Sequence, residues 1–499
     1  MGKFPSSPTV NAEARHGLLL TARCPCQLLL RRGSTSACRR PGSTPSRAGV
    51  LLSLLSLVLA LVWAQDLVMQ AEGAGGGEAG SWPTSSTALA MQLHRNLLRS
   101  YPDKRVANMV FSPLGISRVL RALAAGAGEE TLWQLQELTD VRDINLQIPQ
   151  VYLNPSSAEG DQPAIMIFDH IYVSLAVERN PHFQSFRDVA ENTLHVTVSG
   201  LDFSASPLVV AEKINFDVAE QTAGFVTEVV WPLSLHPRME LAAISAVHVR
   251  CPWEPELFDD EVLRQFYPPY GPHGTVRFIR LRRAATALEY FNGQAVKAVR
   301  LPLSDPTLGL YIMMPRVVNA FEGKFEIAPP DVDDLVDELY EGMLDRQANG
   351  PPEGPNVLVE VEIPAFTLLP GWNQVDVTRI LRGLGIENLF DEERAVMPLL
   401  DSERYRPVDI FAHSAGIAVD IRGVGGATGE AEAGSDPPPL RSADFGRTDR
   451  ITFDRPFMFQ LRYQPFNQRS RRCPAREQVV VLSGHLFSAV GAQLQGLHM

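Results

Sequence analysis

The sequence predicts an α+β protein in which helices dominate the first part of the body and strands the last part. Apolar residues recur at helical spacing between residues 89 and 138 and again at residues 207–221, whereas most apolar runs after residue 295 have the strand pattern. Helix and strand do not alternate regularly, which argues against a doubly wound parallel sheet. The hydrophobic fraction of 45% is sufficient for a large core and excludes a disordered chain. The length of 499 residues allows three domains or one large mixed domain.

The first 64 residues have the composition of a targeting segment. They contain eight Lys or Arg residues and one acid, and the apolar run at residues 50–62 is followed by the small residue Ala64. The run is shorter than the ~20 apolar residues of a membrane span, so it favours a signal peptide cleaved after Ala64. We therefore expect a secreted, extracellular protein that begins near Gln65 and has no stable membrane insertion. An organelle transit peptide and a mis-assigned start residue remain open as alternatives.

The predicted domain begins after a flexible lead-in. Residues 65–86 are rich in Gly, Ala and Ser, a composition that cannot offset its ordering entropy. Residues 87–491 are predicted to form a single domain, followed by a tail at residues 492–499. The first helix is capped by Ser86 or Thr87 and ends before Pro102.

The remaining elements are predicted from the same two periodicities. Helices are expected at residues 116–126, 129–138, 182–192, 207–221, 332–344 and 375–383. Strands are expected at residues 108–111, 165–173, 239–249, 295–303, 308–314, 357–363, 411–421, 451–463 and 479–486.

The cysteine count argues against a disulfide scaffold, and the charge argues against a nucleic-acid-binding protein. Cys24, Cys26 and Cys38 lie in the leader, so Cys251 and Cys473 alone cannot form a disulfide scaffold. We expect these two to be free thiols, with a single bridge as the alternative. The formal net charge of the chain is −12 although the leader is basic, so we expect no nucleic-acid partner.

The sequence lacks the common catalytic motifs. It has no nucleophile elbow, phosphate loop or zinc helix, and the glycine run after residue 422 fails as a dinucleotide fingerprint. His413 and Ser414 are neighbours in a predicted strand and would point to opposite faces, so they do not form a nucleophile and its base. We therefore predict no enzymatic activity, no metal and no cofactor. His413 is expected to be buried and bonded to a neighbouring element.

Residues 423–436, GVGGATGEAEAGSD, combine a strand period with a loop-like composition. Every second residue from Gly425 to Ser435 is small, while the other phase carries Val424, Glu430 and Glu432. The glycine content argues against a stable strand, and a proline-rich loop follows. We predict a segment that is exposed at first and can later become a strand. A solvated linker between two strands is the alternative.

Several short motifs occur in a defined order between residues 86 and 491. The N-terminal ones are Asn108 with Ser112 and Pro113, Asn215 with Thr222 and Gly224, and Trp253 and Glu254 with Phe258. The C-terminal ones are His413, Ala415, Val419 and Asp420 before the segment 423–436, then Phe453, Arg455, Pro456, Phe457, Phe459, Leu482 and Gly484 after it. In this order the motifs resemble those of the serpin (serine protease inhibitor) family over nearly the whole body.

The resemblance implies a serpin-like fold of three β-sheets and about nine helices, with a reactive loop at about residues 422–450. In that family a serine protease cuts the loop and is trapped as an acyl-enzyme when the freed loop inserts as a strand in the central sheet, and the resemblance implies the same here. Ser112 and His413 match the family's polar cluster beneath that sheet. The expected protein is a monomeric, irreversible suicide-substrate inhibitor.

The position of the reactive bond is counted from the hinge glycine at the start of the reactive loop, and two glycines can be taken as that hinge. We call these the first and the second count. Counting from Gly423 places the reactive bond near Pro437 and turns Glu430 and Glu432 into the core, at a high desolvation cost. Counting from Gly426, with the three residues before it as an insertion, turns the small face inward. The hinge residues predicted under this second count are Gly425, Gly426, Ala427, Gly429 and Ala431.

The second count places the reactive bond after Leu440 or Arg441. We predict the bond Arg441–Ser442, because an exposed Arg suits a trypsin-like protease whose specificity pocket carries an Asp. Phe445 and Arg447 are the reserve positions. The expected partner is therefore a trypsin-like serine protease.

Departures from the family pattern keep a second function open. Ile421 stands where inhibitory members have Glu, and the hinge Thr is replaced by Val424 or Ala427, depending on the count. Gly115 and Ser245 replace polar residues of the cluster beneath the sheet, and the loop is several residues longer than usual. The alternative is a non-inhibitory serpin that acts as a carrier, chaperone or binding protein.

A basic loop near the C-terminus raises the question of a polyanion partner. It carries Arg469, Arg471, Arg472 and Arg476. A solvated insertion is the preferred interpretation of such a run. A glycosaminoglycan partner is possible but not predicted, because the stretch that would supply a heparin-binding helix has Arg142 as its only basic residue.

Overall fold

A computed structural model describes residues 86–101, 107–139, 164–255, 257–258, 260–268, 273–281, 288–292, 296–315, 359–370, 375–401, 405–425, 449–464, 478–489 and 492. The chain divides into two compact units, Met1–Gly77 and Glu78–Met499, and these residues all belong to the second. The predicted leader and the helix predicted at residues 332–344 lie outside the described residues. Within the described ranges, no helix is long and apolar enough to cross a membrane.

Seven α-helices lie within the described ranges. They are α1 Ser86–Ser100, α2 Pro113–Gly126, α3 Glu129–Thr139, α4 Leu175–Glu178, α5 Phe183–Asn192, α6 Pro207–Gln221 and α7 Val377–Gly383. The helices predicted at residues 182–192 and 207–221 are confirmed, the second with identical bounds.

The strands form three sheets, as the resemblance implies. They are β1 Met109–Phe111, β2 Ala164–Ser174, β3 Thr197–Leu201, β4 Leu241–Pro252, β5 Asp260–Phe266, β6 Gly274–Leu281, β7 Glu289–Asn292, β8 Val296–Pro302, β9 Leu308–Pro315, β10 Val359–Pro364, β11 Phe366–Leu368, β12 Val375–Asp376, β13 Ile410–Val419, β14 Gly423–Val424, β15 Asp449–Thr452, β16 Phe457–Tyr463 and β17 Val479–Leu486. The six-stranded sheet has the order β1-β17-β16-β9-β8-β7, and the four-stranded sheet β15-β10-β6-β5. The seven-stranded sheet has the order β11-β13-β14-β4-β2-β3, with β12 beside β13.

The seven-stranded sheet is covered on both faces. Successive side chains of a strand point to opposite faces, so each strand contributes to two cores. On the face that we call inner, Val249 of β4 packs in one core with Ile417 of β13. On the outer face, Ile244 and Ala412 pack in another core with Ile214 of α6. Helix α6 therefore packs in the outer core, where it contacts β2.

Helix α2 begins beneath the inner face. Its cap is Ser112, whose Oγ accepts a hydrogen bond from the Gly115 amide at 3.1 Å. Pro113 occupies the first turn, where no amide hydrogen is needed. The buried residues Ile116 and Leu120 then anchor the helix in the core. The start of α2 lies close to β13, because the Ser112 amide donates to the His413 side chain of that strand.

Three predicted boundaries are wrong. The strand predicted at residues 451–463 is two strands, β15 and β16, in different sheets, and Pro456 in the gap has no amide hydrogen for a ladder. The strand predicted to reach residue 421 ends at Val419. The helix predicted from Val375 is preceded by β12, because Val375 pairs with His413 and the Asp376 side chain caps α7.

Strands β3, β5, β6 and β7 were not predicted. The sequence of β5, DEVLRQF, is largely polar, and its burial alternates between exposed and half-buried. It pairs along its whole length with β6 and forms an edge of the four-stranded sheet. A polar edge strand of this kind gives little hydrophobic signal, and its pairing depends on the neighbouring strand.

Candidate functional site

The segment predicted to be the reactive loop starts with a tight turn after β13. The amide of Asp420 donates to the carbonyl of Gly423 at 3.0 Å. The Asp420 Oδ1 atom accepts the amides of Arg422 at 2.8 Å and Gly423 at 3.2 Å. Asp at the first position and Gly at the fourth are favoured in such a turn. The turn reverses the chain and returns it to the sheet.

Strand β14 lies between β13 and β4 immediately after this turn. Val424 pairs antiparallel with Val419 of β13 and with Cys251 of β4. Its side chain is 2% exposed and lies in the inner core together with both partners. Gly423, which the second count placed before the hinge, is thus already paired in the sheet. The start of the loop has a fixed register and a fixed inward side chain.

Trp253 holds the turn from the end of β4. Its indole Nε1 donates to the Asp420 carbonyl at 2.8 Å, and its amide donates to the Arg422 carbonyl at 3.1 Å. The ring contacts Phe258, with centroids 5.0 Å apart. The tryptophan motif of the sequence is therefore part of the anchor of the loop.

The two glycines that flank Val424 are required by backbone contacts. A Cβ atom on Gly423 would lie 2.4 Å from the Cys251 carbonyl oxygen. Gly425 has a φ of +100°, and a Cβ there would lie 2.2 Å from the Val249 carbonyl oxygen. Larger residues therefore cannot take the place of either glycine while β14 stays in the sheet.

The predicted contact of His413 with a neighbouring element is confirmed. The amide of Ser112 donates to Nε2 of His413 at 2.8 Å, and both residues are fully buried. Burial lowers the pKa of His413 to about 3, opposed in part by the backbone of Ser245. The ring is therefore neutral at physiological pH. Because Nε2 accepts a hydrogen bond, the proton of the neutral ring is on Nδ1.

The geometry of these residues does not support a hydrolase. The Ser112 hydroxyl donates to the Val481 carbonyl at 2.6 Å rather than to the imidazole. The Ser414 hydroxyl donates to the Pro370 carbonyl at 3.0 Å, on the other face of β13 from His413. Neither serine has the bond to a base that an activated nucleophile requires.

Further polar groups lie beside His413 under the inner face. Asp169 of β2 accepts a hydrogen bond from Arg118 Nε at 2.6 Å. Burial raises the pKa of Asp169, and Arg118 opposes this shift. Gly115 leaves room for Ser245, since a Cβ at Gly115 would lie 2.4 Å from the serine Oγ. A side-chain hydrogen bond with Ser245 also opposes the rise in the pKa of Asp169, and the backbone of Ser245 acts on the His413 ring.

A charged cluster anchors β15, the strand that follows the predicted reactive loop. Glu362 of β10 has a side chain that is 1% exposed, and it accepts hydrogen bonds from Arg450 at 2.5 Å, Arg280 at 2.7 Å, Thr452 at 3.1 Å and Arg264 at 3.2 Å. Burial alone would raise the pKa of Glu362, but the bonds from the three arginines lower it to about 2. This carboxylate therefore joins β15 to β10, β6 and β5.

Much of the predicted site lies outside the described residues. This applies to Arg441, Ser442, Leu440, Phe445 and Arg447, to the hinge residues Gly426, Ala427, Gly429 and Ala431, and to Cys473 and the four arginines at residues 469–476. Gly425 is the last described residue before Asp449. Cys251 is a buried free thiol whose pKa burial raises.

Sequence reasoning missed three features of the site. They are β14, the hydrogen bonds of Trp253 to the turn, and the cluster around Glu362. The first had a local signal, since Asp420 and Gly423 stand at the two ends of a four-residue turn. The other two join residues more than 80 positions apart and have no local signal.

The fold and the site can be compared with known proteins. The serpin family model, described as serine protease inhibitor, matches residues 84–468. Serpin-Z4 of Hordeum vulgare is 23% identical over 398 residues, covering 75% of this chain and 91% of that relative. Serpin B8 of Homo sapiens is 22% identical over 364 residues, covering 72% and 90%. The crystal structure of native protease nexin-1 with heparin has a TM-score of 0.61 at 19% identity, covering 81% of this chain and 98% of that one. With a family model matched over most of its length, this chain belongs to the serpin family.

Proposed function

We propose that this serpin is secreted and inhibits a trypsin-like serine protease irreversibly, as a suicide substrate. The observation that carries the proposal is β14. The start of the reactive loop is paired between β4 and β13 before any cut, with Val424 in the inner core. A loop released by cleavage could therefore lengthen an existing strand, gaining backbone hydrogen bonds on both sides.

The reactive bond that we propose is Arg441–Ser442. An arginine at this position would enter a specificity pocket that carries an Asp, as in trypsin-like enzymes. Asp449, the first described residue after the loop, is fixed in β15 by pairing with Val359. The loop is thus held at both ends, so that its middle can be presented to a protease as a substrate.

Incubation with trypsin, thrombin and plasmin tests the proposal. We expect an SDS-stable complex with at least one of them, and we expect Arg441→Ala to abolish it, because the recognised side chain is lost. Arg447→Ala is the matched control and should retain the complex. Cleavage within the loop without any covalent complex would contradict the proposal.

Secretion has a separate test. The proposal expects the exported protein to begin near Gln65, because the apolar run and Ala64 form a signal-peptide pattern. Expression of the full chain in cultured cells, followed by N-terminal sequencing of the protein in the medium, provides the measurement. Retention of the protein in an organelle would contradict it.

A non-inhibitory carrier or binding protein is the second candidate. The observation that favours it is Ile421, which packs partly buried against the inner core at the position where inhibitory serpins have Glu. A carrier of this kind would not gain stability when its loop is cut. An unchanged melting temperature after cleavage, together with no covalent complex, would favour this candidate.

A further inference from the structure

A group of exposed apolar side chains lies on α6 and on the loop that follows it. Ten large apolar side chains are exposed in the described part of the chain, and half of them fall between residues 208 and 233. We call these five the apolar patch: Leu208, Val209, Phe216, Trp231 and Leu233. Single exposed apolar residues are ordinary on a protein surface, whereas a contiguous group of them marks a site of interaction.

Helical geometry places the three α6 residues of the apolar patch on one face. Phe216 follows Leu208 by eight residues and Val209 by seven, so the three side chains lie along two turns of one side of the helix. Val210 and Ile214 point to the opposite side, where they are buried in the outer core. The side chains of the apolar patch therefore point away from the outer core, into solvent.

Trp231 and Leu233 lie on the loop directly beside α6. The Asn215 side chain of α6 accepts the amides of Val229 and Val230 at 2.9 and 3.1 Å. These two valines are buried in the outer core, and the single 3₁₀ turn after them contacts α6. The loop is therefore fixed to the helix, and Leu233, which is 97% exposed, extends the apolar patch. A surface that is ordered in advance loses less entropy when a partner binds.

Acidic residues surround the apolar patch. Residues 202–238 contain five Asp or Glu residues and two Lys or Arg residues. One of the bases, Lys213, forms an ion pair with Asp217 one turn later. Three of the acids are exposed and form no ion pair with another described residue: Glu212, Glu220 and Glu228. The first two lie one turn before and one turn after Phe216, so negative charge borders the largest apolar side chain of α6.

The charge and the backbone of this surface define the partner that fits it. A second copy of the chain would bring two acidic borders together, and a membrane of anionic lipids would repel them, so both are disfavoured. Residues 202–238 contain no strand in the structure, so they offer no sheet edge to which an extended peptide could add. A helix can instead pack side by side with α6, with its apolar residues against the apolar patch.

We propose that the apolar patch binds an amphipathic helix of another protein, whose apolar face is flanked by Lys and Arg. Phe216 and Trp231 would supply the aromatic anchors that dominate the binding free energy of such interfaces, and Glu212 and Glu220 would pair with the flanking bases. The patch extends about 12 Å along α6, so a partner helix of about three turns would cover it. None of these residues belongs to the predicted reactive loop, so the inference does not depend on the proposed function.

Two peptides of about 18 residues test the chemistry of the partner on the full chain. Both are designed as amphipathic helices with Leu and Trp on one face, and the remaining positions are Lys in one peptide and Glu in the other. Fluorescence anisotropy of the labelled peptides provides the measurement. We expect the Lys peptide to bind with a Kd below about 100 µM and at least about tenfold more tightly than the Glu peptide. Because salt screens exposed charges, this ratio should fall as the salt concentration is raised.

Two substitutions locate the bound peptide on the protein. Phe216→Ser removes an anchor and is expected to weaken binding of the Lys peptide at least about tenfold. Leu263→Ser is the matched control, because Leu263 is 68% exposed but lies on β5, and this variant should bind the peptide as the wild type does. Both replaced side chains are mostly exposed, so the melting temperatures should stay within about 2 °C of the wild-type value.

The acidic border of the patch has its own pair of variants. Glu212→Gln combined with Glu220→Gln should weaken binding of the Lys peptide at least about fivefold and should reduce the salt dependence of that binding. Glu392→Gln combined with Glu393→Gln changes two exposed acids outside residues 202–238 and should leave both the affinity and its salt dependence unchanged.

The results that would overturn the inference differ from one another. Absence of binding at about 100 µM, or equal affinities for the two peptides, would reject a basic helix as the partner. Unchanged binding of the Lys peptide by Phe216→Ser would reject the site. Vesicles of phosphatidylserine that bind the wild type but not Phe216→Ser would make a membrane the occupant of the patch. A wild-type dimer that dissociates in Phe216→Ser, measured by analytical ultracentrifugation, would make a second copy of the chain the occupant.

Discussion

Replacing Glu362 by Gln is expected to lower the free energy of unfolding by about 3 kcal/mol at pH 7, because it removes the one carboxylate that three arginines share. The value lies at the lower end of the range for a broken buried pair, since the side chains of Arg264 and Arg450 are 38% and 50% exposed. Urea unfolding of the two proteins provides the measurement. We also expect faster proteolysis near β15, which the cluster anchors.

The pH dependence of stability gives an independent check of the same cluster. The pKa of Glu362 falls from an ordinary 4.5 to about 2 in the folded state. A depressed pKa contributes stability that is present above pH 4.5 and is lost as the pH falls through about 2. The difference in the free energy of unfolding between wild type and Glu362→Gln should therefore be largest at pH 5–7 and should shrink towards pH 2.

Glu360→Gln is the matched control for this prediction. Glu360 lies two residues earlier on β10, and its nearest contact with Arg450 is 4.0 Å between half-exposed side chains. Exposed ion pairs contribute little to stability, so we expect the free energy of unfolding of Glu360→Gln to lie within about 0.5 kcal/mol of the wild-type value. A loss in Glu360→Gln as large as that in Glu362→Gln would show that general surface charge, not the cluster, is responsible.

Replacing Gly425 by Ala is expected to force β14 out of the sheet. The φ of +100° is strained for any residue with a Cβ, and that Cβ would lie 2.2 Å from the Val249 carbonyl oxygen. The hydrogen bond from the Gly425 amide to the Ala418 carbonyl, 2.7 Å in the wild type, would be lost. Hydrogen exchange at residues 423–425 should become fast, and Val424 should be exposed.

Gly385→Ala separates the steric collision from the backbone strain. Gly385 has a φ of +92°, but no atom lies within 4 Å of its Cβ position. We expect the free energy of unfolding of this control to fall by about 1 kcal/mol from backbone strain alone. The free energy of unfolding of Gly425→Ala should fall by at least about 2 kcal/mol more, or the amides of β14 should lose their protection from hydrogen exchange entirely. Equal losses in the two variants would show that the contact with Val249 is not limiting.

Local patterns in the sequence were sufficient for most helices. The bounds of α6 follow from Pro207 and from apolar residues at helical spacing. Helix α2 begins at Pro113 rather than at the predicted residue 116, and its local signal is Ser112 and Pro113, which act within one turn. The opposite directions of His413 and Ser414 follow from the alternation of a strand alone. Each of these features depends on residues close together in the chain.

Features that join distant strands could not be predicted in the same way. The division of residues 451–463 between two sheets depends on whether β10 or β9 lies alongside. The network of Glu362 requires Arg264, Arg280 and Arg450 from three strands to meet at one carboxylate. Sequence spacing contains no information on contacts between side chains of different strands, because the register of the sheets alone brings these residues together.

The amino-acid sequence alone determined the α+β class, the order of motifs that led to the family, and the alternating small and acidic residues of the loop. These properties depend on residue type and on the periods of helix and strand. The tertiary structure decided that Val424, at the start of that alternation, faces the inner core. The direction of the Val424 side chain is set by its pairing with Val419 and Cys251, and the turn before it is held by Trp253 at the end of β4.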